Sequence, residues 1–260
     1  MNGAVRLAQR WAVFVVVLIA WQLVTTAADS VFFPTPIKIA LDLQDKLFSP
    51  LLTKHILPGM GRMLFGWAVA GVIGVALGLL LGRSRVAVAY LGPVFTFLRS
   101  IPPPLMVPFF AASIGITRMQ LPVIIFGSLW PVLLNSVDGA RAVDATKVDT
   151  ARVFRLSGPQ WALRVLLPSA LPKVFAGLRL SLSLALILMV VAELRGSEYG
   201  IGNQLQYARS DFDPLAMWSW IVLLGLLGYL LNSLLLLLER RALAWQPRHS
   251  LEARALATGG

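Results

Sequence analysis

The sequence predicts an all-α fold: a polytopic membrane protein of about six transmembrane helices, with a helix–turn–helix projecting from its inner side. Three features predict it. Only 13% of the 260 residues are charged, about half the share of a soluble domain. Mean hydropathy is +0.76. The apolar residues gather in runs of roughly 20, the length that crosses a hydrocarbon core about 30 Å thick. This composition excludes a soluble enzyme and a disordered chain. With no cysteine, the chain offers no disulfide framework, thiolate nucleophile or thiolate metal site, and its only histidines are His55 and His249.

Trp11 to Ala28 is the first run. Thr26-Ala27-Ala28 loosely matches a signal-cleavage site, but the run exceeds the roughly 7–15 apolar residues of a signal sequence, which favours a retained span. Between 34 and 57, charges alternate with Ile37, Ala40, Leu41, Leu47 and Leu51, the pattern of an amphipathic helix at a membrane surface. The second span, Met60 to Gly82, places Gly66, Ala70, Gly74, Gly78 and Gly82 at steps of four. Such a bare face lets another helix approach closely, which favours a packing seam over a substrate path.

From Val86 to Ile116 the apolar pattern is interrupted by Pro93, Arg99, the run Pro102-Pro103-Pro104 and Pro108. A straight helix over this stretch would be about 46 Å long, and the prolines remove donors and force extended geometry before them. Broken backbone at membrane depth survives only inside protein or beside a wet cavity. Arg99, Pro102, Pro103 and Pro104 are therefore pathway candidates.

A fourth span covers Met119 to Val137 and a fifth Val174 to Leu194, with Arg179 near its start and Glu193 near its end. A basic stretch, 138–172, separates them. A Gly-rich connection, Gly196 to Pro214, leads to a sixth span, Leu215 to Leu238, with Trp218, Trp220 and Trp245 as interfacial belts. The chain thus divides into an N-terminal span with an external amphipathic segment (1–57), a transmembrane core (58–240) and a C-terminal tail (241–260).

Six spans put both termini on one side. With Arg83, Arg85 and the 138–173 stretch, that side holds fourteen of the 23 Lys and Arg; the other holds seven, and Arg99 and Arg179 lie within spans. The termini and the basic loop are therefore expected in the cytoplasm. The net charge of +11 is topological, and nucleic-acid binding drops out. No Gly-Lys dipeptide exists, so the chain has no P-loop. It also lacks a G-x-S-x-G elbow and any paired intramembrane carboxylates. An integral membrane enzyme is hard to assemble from this inventory.

Within the basic stretch, Ala142 to Leu156 has helical spacing through Val148, Ala151, Arg152 and Arg155. Gly158 can stop that helix and Pro159 suits the first turn of the next. The second helix carries Trp161, Val165 and Leu166 and is expected to end before Pro168 and Pro172. Such a protrusion suits docking by another protein, although a merely solvated loop has the same composition.

Here the sequence resembles the permease subunits of binding-protein-dependent ABC importers, most closely the nitrate/sulfonate/taurine-type branch. Their cytoplasmic signature, E-A-A-x-x-x-G followed by a spaced L-P, falls on Asp149, Thr150, Ala151 and Arg152, with Leu167-Pro168 beyond. Pro34-Thr35-Pro36, Leu98-Arg99, Ile101-Pro102, Asn135 with Gly139, Gly177-Leu178-Arg179, Ala192-Glu193 and Gly200-Ile201-Gly202 also match in order. The motif glycine falls on Arg155, with Gly158 three residues later, so the helix break is open to a shift.

The resemblance implies a half-pore that pairs with a second copy or a close homologue. It implies separate ATPase subunits, carrying ATP and Mg, that seat the elbow Asp149, Thr150, Ala151, Arg152, Arg155, Ser157 and Gly158. It implies a periplasmic or surface solute-binding protein docking near Gly196 to Asp213, no cofactor on this chain, and residence in a bacterial inner membrane. A stand-alone channel or secondary carrier is the competing class, and it leaves the elbow without a purpose. Several roles stay open in the sequence. Arg99 either attracts an anionic substrate or pairs with freed carbonyls. Arg179 snorkels or gates. Glu193 is a gate, an ion-pair partner or packing. Asn135 and Asn232 fit interhelical hydrogen bonds better than substrate contacts.

Overall fold

The structure, a computed structural model, describes residues 3–245, with side chains from Trp11 onward. Arg6, Arg10, Arg248 and Arg254 belong to the topological charge count, but their side chains, like that of His249, lie outside the described residues. The described elements are α1 (Gly3–Ala28), α2 (Pro36–Leu47), α3 (Leu52–Gly82), α4 (Arg85–Ser100), α5 (Met106–Ile114), α6 (Gln120–Arg141), α7 (Ala145–Val153), α8 (Gly158–Glu193), α9 (Ile201–Ser210) and α10 (Pro214–Ala242). No strand occurs among the described residues.

Residues group into two compact units, which cut across a division at 57/58. The first joins the chain up to Gly61 with Glu193–Leu227. In it α2 opens on Thr35, whose side chain accepts from the Lys38 amide, and buries Ile39 and Leu43. Lys46 pairs with Asp42 and stands 5.5 Å from the Trp220 ring centre. The Trp218 indole donates to the Phe32 carbonyl at 3.0 Å and packs 5.4 Å from Trp21. Most side chains of α1 are exposed, among them Val13, Phe14, Val16, Val17, Leu23 and Val24, as suits a helix facing lipid.

The second unit, Arg62–Ala192 with the chain from Gly228 onward, is built around α6. Along one face, Gly66 of α3 lies against Ile124, Gly74 against Val132, Gly78 against Ser136 and Gly82 against Ala140. The offset is a constant 58 residues, so α3 and α6 run parallel in fixed register. Ala70, wholly buried, is level with wholly buried Ser128. On another face α8 runs the opposite way: Gly127 meets Leu188, Gly177 meets Pro131 and Asn135, and Gly139 meets Ala170. Small residues on both partners let these backbones come close.

The parallel pair decides the number of crossings. Five helices are long and apolar enough to span, and α4 with the segment ending α5 forms a sixth candidate bent by 67°. Gly82 sits at the Ala140 end of α6, whereas α6 begins at Gln120, level with Arg62. Between them the chain must return along the roughly 30 Å that separates those ends. α4 and α5 make that return, so the broken pair is a true span. At its break Ile101 and Pro102 are extended, with ψ 116° and 119°, as a residue before proline requires.

Four expectations are corrected. The helix that carries the second span starts at Leu52, ahead of Met60. The helix expected over 142–156 covers only Ala145–Val153. The connection 196–214 contains a helix, α9. The helix opening at Gly158 does not stop before Pro168 but runs unbroken to Glu193; at about 54 Å it exceeds the hydrocarbon core. Proline is tolerated because a π-turn precedes it: Leu167 donates to the Ala162 carbonyl just before Pro168, and Leu57 to Leu52 just before Pro58. The wider turn gives room to the proline ring and shifts the register past its missing donor.

Candidate functional site

The elbow is α7, a four-residue turn and the start of α8. Asp144 opens α7, its carboxylate accepting from the Thr146 amide at 2.7 Å. Hydrogen bonds from the Thr146 side chain and then its amide hold the exposed carboxyl below its ordinary range. The helix closes on a Schellman turn: Leu156 N–H donates to the Ala151 carbonyl and Arg155 N–H to Arg152. Arg155 stands at φ 49°, the left-handed position that a motif glycine would fill. Gly158 therefore does not stop α7; it opens α8, where Ser157 N–H donates to the Gln160 side chain at 3.0 Å.

Along the elbow Asp149 and Arg152 pair at 3.1 Å, both well exposed. Ala151 is buried, whereas Thr150, Arg155, Ser157 and Gly158 are exposed. Val153 and Phe154 are 79% and 73% exposed. α7 thus ends in exposed apolar side chains beside a charged pair. A smaller apolar hollow lies beside it, lined by Thr150, Phe154, Leu156 and Val165. A cavity of about 1130 Å³ also adjoins the elbow, with Arg83, Arg85, Arg141, Arg152 and Arg155 in its wall.

The other candidates lie apart from the elbow. Arg99 is exposed in the last turn of α4 and makes no ion pair among the described residues. Pro102 and Pro104 are exposed, while Pro103 packs on Gly127 of α6. Glu193 is 1% exposed and accepts from the Gly202 amide at 2.9 Å. It therefore caps α9 from outside, because the residue before that helix, Gly200, has no side chain to do so. Arg179 pairs with Glu239 of α10, a partner that sequence spacing does not indicate. Asn135 bonds within its own helix, to Pro131 at 2.8 Å, rather than between helices.

Residues 70–243 match the family model described as "Binding-protein-dependent transport system inner membrane component". The chain belongs to this family. A putative aliphatic sulfonates transport permease protein, SsuC of Bacillus subtilis, is 32% identical over 89% of this chain and 85% of its own. The nitrate import permease protein NrtB of Synechocystis is 28% identical over 86% and 85%. The bicarbonate transport system permease protein CmpB of Synechococcus elongatus is 29% identical over 86% and 84%. An inward facing structure of the MetNI methionine ABC transporter superposes with TM-score 0.65 at 20% identity, covering 74% of this chain and 96% of that one, which shows the fold. This binding-protein-dependent permease is thus a multi-pass membrane protein whose relatives match the nitrate/sulfonate branch of ABC importers.

Proposed function

We propose that this permease forms half of the pathway by which a small oxyanion enters the cell, and that it pairs with a second copy or a close homologue. The relatives named for sulfonates, nitrate and bicarbonate share that chemistry. Separate ATPase subunits, which carry the ATP and Mg, seat the elbow; this chain is non-catalytic and needs no cofactor of its own. Nucleotide-driven approach of the ATPases draws the elbows together and rocks the spans between inward- and outward-facing states. Both termini lie in the cytoplasm, and the solute-binding protein delivers its cargo over 196–213.

The observation that carries this reading is the elbow itself. It exposes Val153 and Phe154 beside the Asp149–Arg152 pair, a surface with no role in a self-sufficient channel. D149R or R152E is expected to lower ATPase co-purification and coupled hydrolysis while membrane insertion survives. Wild-type coupling in both variants refutes the dock. Transport in proteoliposomes lacking any ATPase points to a channel or carrier instead.

A further inference from the structure

We propose that the cavity beside the elbow is an oxyanion-binding site in its own right. Arg83 and Arg85 reach it from the α3–α4 turn, Arg141 from the end of α6, and Arg152 and Arg155 from α7 and its closing turn. The wall contains no aspartate, glutamate or lysine. Of the five arginines only Arg152 has an ion pair among the described residues, the exposed one to Asp149.

Positive charge retained on one side of a membrane accounts for arginines at this end of the helices. It does not account for their gathering around one concavity with acids excluded, since like charges closer than a Debye length of about 8–10 Å repel. Helix dipoles leave most of the charge in place. α3, α6 and α7 end here, α4 and α8 begin here, and each end is equivalent to about half a charge. The dipoles thus offset well under two of the five charges.

Arginine specifies the ligand class. Its planar fork matches two oxygens of a sulfonate, sulfate or phosphate at once, which an ammonium does not. Trp161 and Leu166 line the same cavity, and about 1130 Å³ leaves room for an organic group beside the charged head. Two sources share this chemistry: a free oxyanion in solution, or the phosphodiester of an anionic lipid. Once bound, the oxyanion joins α7 to the ends of α3, α4 and α6 through charge-assisted hydrogen bonds. Arg83, Arg85 and Arg141 lie outside the elbow motif, whereas Arg152, Arg155 and Gly158 belong to both, so the test varies the first three alone.

The test uses the full chain assembled with its partner subunits. In detergent, sulfate is titrated against chloride at equal ionic strength and thermal stability is followed. In phosphatidylcholine nanodiscs, cardiolipin is added and the retained lipid is read by native mass spectrometry. A saturable response to sulfate identifies a free oxyanion; selective retention of cardiolipin identifies the lipid headgroup. In R83Q/R85Q/R141Q either response is expected to weaken by about tenfold or more. R141Q and R141K are measured alongside, so that a triple variant that fails to assemble leaves the test intact: glutamine weakens binding, and lysine retains part of it. Equal responses in wild type and the glutamine variants overturn the proposal, as does a wild type that responds to neither probe. Variants that lose the ATPase subunit but keep both responses make the cavity an ATPase contact, and that also overturns it.

Discussion

The amide of Leu156 donates to the carbonyl of Ala151 at 3.1 Å, and Arg155, next to Leu156, stands at φ 49°. The turn that ends α7 thus keeps the backbone of a glycine-closed helix while carrying an arginine. A side chain there costs roughly 1 kcal/mol relative to glycine. R155G is expected to raise stability by about 0.5–1 kcal/mol, seen as a higher melting temperature and slower exchange of the Leu156 amide. R155V, β-branched in the same position, is expected to lower both.

At the other end of α7 the cap is titratable. Hydrogen bonds from Thr146 stabilise the Asp144 carboxylate, so its folded pKa lies below the ordinary 3.8. The sign follows: the cap contributes fully above the unfolded pKa and is lost as pH falls through the folded value. Acidification below about pH 4 is therefore expected to fray α7 first at Ala145–Lys147, read as faster amide exchange there. D144N, an uncharged residue that caps well, is expected to abolish this pH dependence and leave the helix formed at neutral pH.

The stripe Gly66-Ala70-Gly74-Gly78-Gly82 was legible in the sequence as a face that a partner helix could approach, because spacing of four on a helix is one-sided. The identity of the partner was not, since the constant offset to α6 belongs to tertiary register. The proline break before Pro102 was legible because proline acts on its immediate neighbour. Continuity through Pro168 was not, because the π-turn that accommodates it leaves no compositional mark. The helix break at Arg155 stayed open in the sequence for a related reason: the turn's hydrogen bonds back to Ala151 and Arg152 outweigh a local preference for glycine. Glu193 and Glu239 found their partners 9 and 60 residues away, and only packing brings such residues together.

Within the seam the cost of a side chain depends on what faces it. A Cβ at Gly78 would stand 2.7 Å from the Leu133 carbonyl oxygen and 3.1 Å from the Val137 nitrogen, both rigid backbone. G78A is expected to push α3 off α6 at a cost of about 1–3 kcal/mol, measured as a lower melting temperature and reduced yield of folded protein. Gly225 and Gly92 have nothing within 4 Å of such a Cβ. G225A and G92A are expected to be neutral or to gain up to about 1 kcal/mol from helix propensity. Equal losses at all three positions contradict the seam as the cause.

Glu193 presents the sharpest contrast between charge and acceptor. Its carboxylate takes the Gly202 amide at 2.9 Å, a charge at the positive end of the α9 dipole. A Cβ at Gly59 would come within 2.7 Å of Oε1, so the carboxylate packs directly on neighbouring backbone. E193A is expected to strand the buried amide at a cost of about 1–3 kcal/mol. Amide exchange over Ile201–Asn203 then speeds by roughly tenfold or more, while exchange in α7 stays as in wild type. E193Q keeps an acceptor of the same size and loses only the charge, so its cost is expected to be the smaller of the two. Were both variants to leave exchange at Gly202 unchanged, the cap would not be what holds α9 in place.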